Sequence, residues 1–425
     1  MKLRLFFSLV SIVFLFTGCT FGTSQESTET QNPTIDFPTP VNTNTSTPIL
    51  PSRTITLNIW LPKEFDPNDG SDAANLFTER LDNFSTRRPG VQVEIRIKNL
   101  RGPGSLLETL SATKEAAPLA LPDLIALPYD QMLTAASQNL IYPLDSYISD
   151  VGSEDWYDFA LDLGQYQGKK YGIPFAANML VMAYHPTIVG DPPSTWEAMI
   201  NREATLAFPA SEPDAIFTLA LYQSLGGEIL NENGILQLDR NLLESVFDLY
   251  HQAIVADVMP DWSIEISSDD DTWGNFIKNQ SQLAITWTDH FFEPSSGGVN
   301  FTAIPTTDGT PYTYSNGWVW GLSGYDSSRY QTVVELAEFL TEGEFLGEWT
   351  LAAGYLPTRP SSLAVWPSDP EYAFISQILP VANLIPDISD FPSISEVFIQ
   401  ATIEVLNQQI TPGEAADIVL ASIEN

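Results

Sequence analysis

The stretch from Lys170 to Pro186 most constrains what this chain can become. After the lysine it reads Tyr-Gly-Ile-Pro-Phe-Ala-Ala-Asn-Met-Leu-Val-Met-Ala-Tyr-His-Pro. Gly172 and Pro174 interrupt an apolar run, so the backbone is expected to be extended and bent at that pair. It then settles into a buried strand over Met179–Tyr184. A long apolar segment bent near its start suits a chain leaving one folded body and entering another. The length agrees: 425 residues at 44% hydrophobic exceed what one core holds, since single cores stop growing at about 250–300 residues.

The first fifty residues have a different character. Lys2 and Arg4 precede an apolar run, Leu5–Phe16, that is shorter than the roughly 20 residues a bilayer-spanning helix needs, and so reads as an export signal. Phe16-Thr17-Gly18-Cys19 resembles a bacterial lipobox, with Cys19 the residue that is lipidated. Cys19 is also the one cysteine in the chain, which leaves it no disulfide partner. Residues 20–52 are dominated by Thr, Ser, Pro, Asn and Gln. Such a composition buries too little apolar surface to offset ordering entropy, and reads as a tether. The formal net charge of −36 repels phosphate backbones and excludes nucleic acid as a partner.

From Arg53 onward, strand and helix patterns alternate. Ile55, Leu57 and Ile59 mark a strand ending in Trp60, and a helix capped by Ser71 or Asp72 carries Leu76, Phe77, Leu81 and Phe84. Val91, Val93, Ile95 and Ile97 then alternate in a second strand, completing a βαβ unit and implying a parallel sheet with covering helices. Asp123–Leu127 reads as a third strand that delivers Tyr129 and Asp130 to its carboxyl end, the edge where open α/β sheets bind ligands. Thr195 is a helix cap. Thr411-Pro412-Gly413-Glu414 is a capping box before a last helix with Ala415, Ile418, Val419 and Ile423 inward.

Several of these words occur in order in one family. Tyr-Gly-Ile-Pro with the Asn178 run resembles the crossover of family 1 extracellular solute-binding proteins, the maltose-binding type that serves ABC importers. So do Pro-Asp-Leu-Ile-Ala-Leu-Pro-Tyr-Asp at 122–130, Pro193-Ser194-Thr195-Trp196-Glu197, and the pattern from Thr272-Trp273 through Phe276 to Leu283–Trp287. Gly317-Trp318-Val319-Trp320-Gly321-Leu322, with Asn316 where the family has a first glycine, and Gly354–Arg359 extend the match. The resemblance implies an α/β, two-lobed periplasmic-binding-protein-like fold of type II. Each lobe is then a sheet flanked by helices, with several crossovers at the hinge. On this reading residues 1–18 are a lipoprotein signal peptide and 19–52 a tether. Residues 53–177 and 300–345 form lobe 1, and 178–299 and 346–425 form lobe 2. Asn178 lies at the cleft floor.

The remaining chemistry is that of binding. The three histidines, His185, His251 and His290, are far apart in sequence, and no Gly-x-Ser-x-Gly, Gly-x-Gly-x-x-Gly or Walker loop occurs, so no catalytic residue, metal site or cofactor is assigned. Asp289-His290 reads as a surface-loop pair; Asp269-Asp270-Asp271 could bind calcium, but reads better as a solvated helix start, where carboxylates meet the positive dipole end. Ten Trp and fifteen Tyr include several at strand ends. A sugar pocket needs flat aromatic faces for C–H surfaces, with carboxylate or amide forks beside them. Trp60, Tyr129, Asp130, Asn178, Trp287, Asp289, Trp318 and Tyr355 are the candidate ligand-binding residues, while Trp196 and Trp273, on helices, read as core.

The function expected is a membrane-anchored, monomeric substrate-binding lipoprotein outside the cytoplasm. It would capture a neutral mono- or oligosaccharide by hinge closure and deliver it to ABC permease subunits. The alternatives are a non-sugar solute (peptide, polyamine or polyol), a secreted glycosidase, whose paired carboxylates the sequence does not nominate, and an adhesive surface protein.

Overall fold

The computed structural model describes residues 54–149, 155–202, 204–231, 234–388 and 392–423. Cys19, the export segment and the tether lie outside them. Strand β1 (Ile55–Pro62) leads through helix α1 (Asp72–Arg87) to β2 (Val91–Lys98). Helix α2 (Leu106–Ala116), strand β3 (Leu124–Pro128), helix α3 (Tyr129–Ser137) and the short α4 (Asp158–Leu163) follow. β2 and β3 flank β1 in parallel, as the βαβ pattern requires. Ser71 caps α1 by accepting from the Ala74 N–H at 3.1 Å.

Strand β4 is the 13-residue Gly172–Tyr184. Beyond it lie β5 (Leu206–Ala207), α5 (Ile216–Ser224), α6 (Arg240–Val255), α7 (Asp269–Ile277), β6 (Leu283–Trp287), β7 (Asn300–Thr302) and β8 (Thr313–Leu322). Helices α8 (Tyr330–Phe339) and α9 (Gly343–Ala353), strand β9 (Ala382–Leu384), and helices α10 (Pro392–Leu406) and α11 (Pro412–Ile423) complete the chain. Among the described residues no helix is long and apolar enough to cross a membrane.

The strands form one hydrogen-bonded path in the order β2-β1-β3-β8-β4-β6-β5, with β9 on β8 and β7 on β4. A separate sheet for each lobe was expected. The path is continuous because β4 is long enough to serve both ends: Gly172–Met179 pairs with β8 and Leu180–Tyr184 with β6. The bend expected at Gly172 and Pro174 is a β-bulge. Trp318 pairs with Ala176 and Val319 with Pro174, which leaves Phe175 unpaired. A proline in a central strand has no N–H to donate, and a bulge accommodates it. Gly317 lets the two strands close up, since a Cβ there would stand 2.4 Å from the Ala176 carbonyl oxygen.

β1 and β4 bury apolar side chains on both faces. Leu57, Ile59 and Leu61 of β1 pack with Phe77 and Leu81 of α1 and with α8 and α9, while Trp60 faces Leu106 and Leu110 of α2 on the other side. Leu180, Met182 and Tyr184 of β4 pack with α5, α6, α10 and α11; Met179, Val181 and Ala183 face Trp273, Phe276 and Phe301. Alternation along β4 thus supplies two cores from one strand. Trp196 and Trp273 are 1% and 6% exposed, which makes both core residues.

β7 pairs with Met182–Tyr184 of β4, and Phe301 packs beside Trp273, so the chain is still with the second set of cores at residue 300. Phe345, Leu346 and Trp349 of α9 pack into the core of β1, so residue 346 is still with the first. On α11, Ala415 and Val419 are buried as expected, but Ile418 is 40% exposed. Thr411 and Glu414 form the capping box, with Thr411 N–H donating to Glu414 Oε2 at 2.8 Å.

Candidate functional site

Where β4 passes from β8 to β6, two asparagines interrupt the apolar run. Asn178 and Asn316 are direct partners across the β4–β8 ladder, and both are partly accessible. The Asn178 Oδ1 accepts from Thr288 Oγ1 at 2.6 Å, from the Asp289 N–H at 3.1 Å and from its neighbour Met179 N–H at 3.1 Å. Thr288 is 1% exposed and its hydroxyl also accepts from Met179 N–H at 3.0 Å. The amide therefore fixes the turn after β6 and presents Asp289, which is exposed. Enclosure by protein, then the Asp269 carboxylate, hold Asp289 above the usual carboxylate range against the pull of His290 and Asn178.

An aromatic group adjoins this hub. Phe65, in the single turn Lys63–Phe65 after β1, makes an edge contact with Trp318 at 4.8 Å and packs at 5.6 Å against both Tyr355 and Trp349. Phe175, the bulge residue, stacks on Trp320 at 4.5 Å. Burial pushes the Tyr355 phenol up to about 12, with the Glu64 and Asp289 carboxylates adding to the effect and the Trp318 indole opposing it. One hydroxyl thus senses a carboxylate from the β1 turn and another from the β6 turn.

Asn178 and Asp289 are bonded to each other; Tyr355 is near enough to Asp289 for the carboxylate to raise its phenol, and Phe65 packs between Tyr355 and Trp318. Trp287 ends β6 paired with Leu180, half-buried against the second set of cores. Trp60 is a correction. It is 2% exposed and packed against α2, because β1 continues to Pro62 and its face at residue 60 is covered. Trp318, at 9% exposed, borders the site as packing for Phe65 and is not an open platform. Tyr129 packs partly against the same core as Trp60; burial, then Asp387 and Asp162, raise its phenol to about 12. Asp130 is exposed in the first turn of α3, with no contact to the Asn178 hub. Cavities of about 450 and 400 Å³ lie elsewhere, lined by none of the eight candidates.

The pair Asp289-His290 is not a surface loop. His290 is 3% exposed, stacked under Trp273 at 4.7 Å, with Nδ1 2.8 Å from Glu293 Oε1 and Nε2 3.0 Å from Asp269 Oδ2. A single 3-10 turn at His290–Phe292 folds the ring inward. Burial alone would lower the imidazole, but Asp269, Asp289 and Glu293 raise it to about 9. Asp269 also departs from a purely solvated helix start: its Oδ1 accepts from Thr286 Oγ1 at 2.7 Å.

Comparison with known proteins identifies the class. The model of the bacterial extracellular solute-binding protein family matches residues 79–374, and the chain belongs to that family. These are binding proteins and not enzymes, and they act outside the cytoplasm. The chain is 30% identical over 128 residues to a maltotriose-binding protein of Pyrococcus abyssi, a match spanning 28% of each chain. In fold it is similar to the cyclic alpha-maltosyl-1,6-maltose binding protein of Arthrobacter globiformis (TM-score 0.72, 17% identity, 87% of this chain and 98% of that one). It is also similar to a cyclo/maltodextrin-binding protein complexed with maltotetraose (TM-score 0.70, 20% identity, 87% and 96%). The two-lobed α/β architecture follows.

Proposed function

We propose that this chain is the solute-capturing lipoprotein of an ABC importer and takes a neutral saccharide between its lobes. The solute sits where β4 passes from β8 to β6, against Asn178, Asn316, Asp289, Trp287 and Tyr355. The observation that carries this is the Asn178 amide tied to Asp289 beside an aromatic group, because hydroxyl-recognising forks next to flat rings are what a sugar requires. The saccharide ligands named for the similar proteins support it. β4 and β8 act as the hinge, and closure presents the form that permease subunits recognise. Lipidated Cys19 and the 19–52 tether keep the body at the membrane surface.

The test is a thermal-shift panel of malto-oligosaccharides, monosaccharides, polyols, peptides and polyamines. A ligand at a hundred times its Kd adds about 2.7 kcal/mol, and the reading expects that gain from saccharides. Polyamines are included because Glu64 and Asp289 both bear on Tyr355; a shift from polyamines alone would replace the sugar with a cationic solute.

A further inference from the structure

The geometry points to a divalent-cation site formed by Asp269, Asp289 and His290, for a borderline transition ion such as Zn²⁺ or Mn²⁺. One ligand atom from each of the three lies within 4.8 Å of the others. A cluster of carboxylates alone would carry little, since exposed acids gather without binding anything. Here the buried imidazole changes the case. His290 Nε2 is buried and has no hydrogen-bond partner of acceptable geometry, although Asp269 Oδ2 is 3.0 Å away. The nitrogen stands within 4.8 Å of a carboxylate oxygen from each of the two acids.

The second observation is that the outer side of every ligand is already held. His290 Nδ1 lies 2.8 Å from Glu293 Oε1, and Glu293 Oε2 in turn accepts from Trp273 Nε1 at 3.0 Å. Asp269 Oδ1 accepts from Thr286 Oγ1 at 2.7 Å, and Asp289 Oδ1 from the His290 N–H at 3.1 Å. This is the support metal ligands characteristically have: a carboxylate on the far ring nitrogen and hydrogen bonds orienting each ligating carboxylate; the ion takes the place of the proton that the metal-free ring holds on Nε2. Trp273, stacked over the ring at 13° between planes, prevents its rotation.

One imidazole and two carboxylates select a borderline ion over Ca²⁺ or Mg²⁺, which favour all-oxygen shells. Bonds of about 2.0–2.2 Å require the ligand atoms to draw together by about 1 Å, and Asp289, the exposed ligand of the three, is the one with room to move inward. Three protein ligands leave at least one position open to water on the accessible side. The site does not depend on the nature of the solute.

The test is isothermal titration of the tag-free full chain, stripped with chelator, with ZnCl2, MnCl2 and CaCl2 in the absence of sugar. One Zn²⁺ or Mn²⁺ per chain is expected, with Asp269→Asn abolishing the binding. Glu293→Gln, which removes only outer support, should weaken it about 10- to 100-fold, and Asp270→Asn, an exposed neighbour, should leave it unchanged. Should Asp269→Asn fail to fold by circular dichroism, the Glu293→Gln and Asp270→Asn pair decides. No binding tighter than millimolar, preference for Ca²⁺, or equal loss in Asp270→Asn overturns the proposal.

Discussion

Replacing Asn178 with Ala removes the acceptor on which three donors converge. Met179 N–H keeps the Thr288 hydroxyl as an acceptor at 3.0 Å, and the backbone N–H of the exposed Asp289 can turn to water. The proton of the Thr288 hydroxyl has neither resource, Thr288 being 1% exposed. A buried polar group left unpaired costs about 1–3 kcal/mol, and that sets the expected loss of stability. The consequence for binding is separate. Without the amide the turn after β6 no longer holds Asp289 in place, and saccharide affinity should fall at least about tenfold, which is about 1.4 kcal/mol. Urea melts and titration calorimetry on the same preparation read both quantities. A variant with wild-type stability and affinity refutes the hub. Lost stability with affinity intact shows that the hub is structural and that the solute binds elsewhere.

Trp287→Ala should weaken saccharide binding by about 1–3 kcal/mol. Its cost in stability should be below the about 3–5 kcal/mol of a fully buried Trp truncation, because Trp287 is only partly buried; the reverse pattern makes it a packing residue. In metal-free protein, His290 binds its proton more tightly folded, at about 9, than unfolded, at about 6.5. Its stabilising contribution is therefore complete below about pH 6.5 and is lost as pH rises towards 9. Denaturant midpoints should fall across that window, and a profile as flat as that of His290→Gln would show that the ring is uncharged. Cys19→Ser should release the protein from membranes without changing the melting temperature of the body; unchanged membrane partitioning would remove the lipid anchor.

Periodicity made the βαβ start and the apolar crossover legible, because alternation in β1 and β2 and the Gly172–Pro174 interruption are local features. Capping chemistry was equally local: Ser71, Thr195 and Thr411 each accept from a backbone N–H three residues on. Side-chain exposure was less legible. Trp60 has the spacing of a strand end, yet β1 runs two residues further and α2 covers it, and only tertiary packing shows that. Phe65 and Glu64 were missed because they follow the strand in a turn without a pattern of their own. Asn316 left a signal, a polar residue in an apolar run, but its partner Asn178 is 138 positions away and the register that joins them is not local. His290 looked solvated among acids. The ring's burial depends on Trp273, seventeen residues earlier on another element.

The most direct test of the account is a crystal structure of the full chain with the saccharide that gives the largest thermal shift. The account predicts the sugar at the β4 crossover, with hydroxyls within hydrogen-bond distance of Asn178, Asn316 or Asp289 and a ring face against Trp287 or Tyr355. A sugar seated instead in the cavity lined by Arg87, Trp156, Lys170 and Arg359, with the crossover filled only by water, would contradict it.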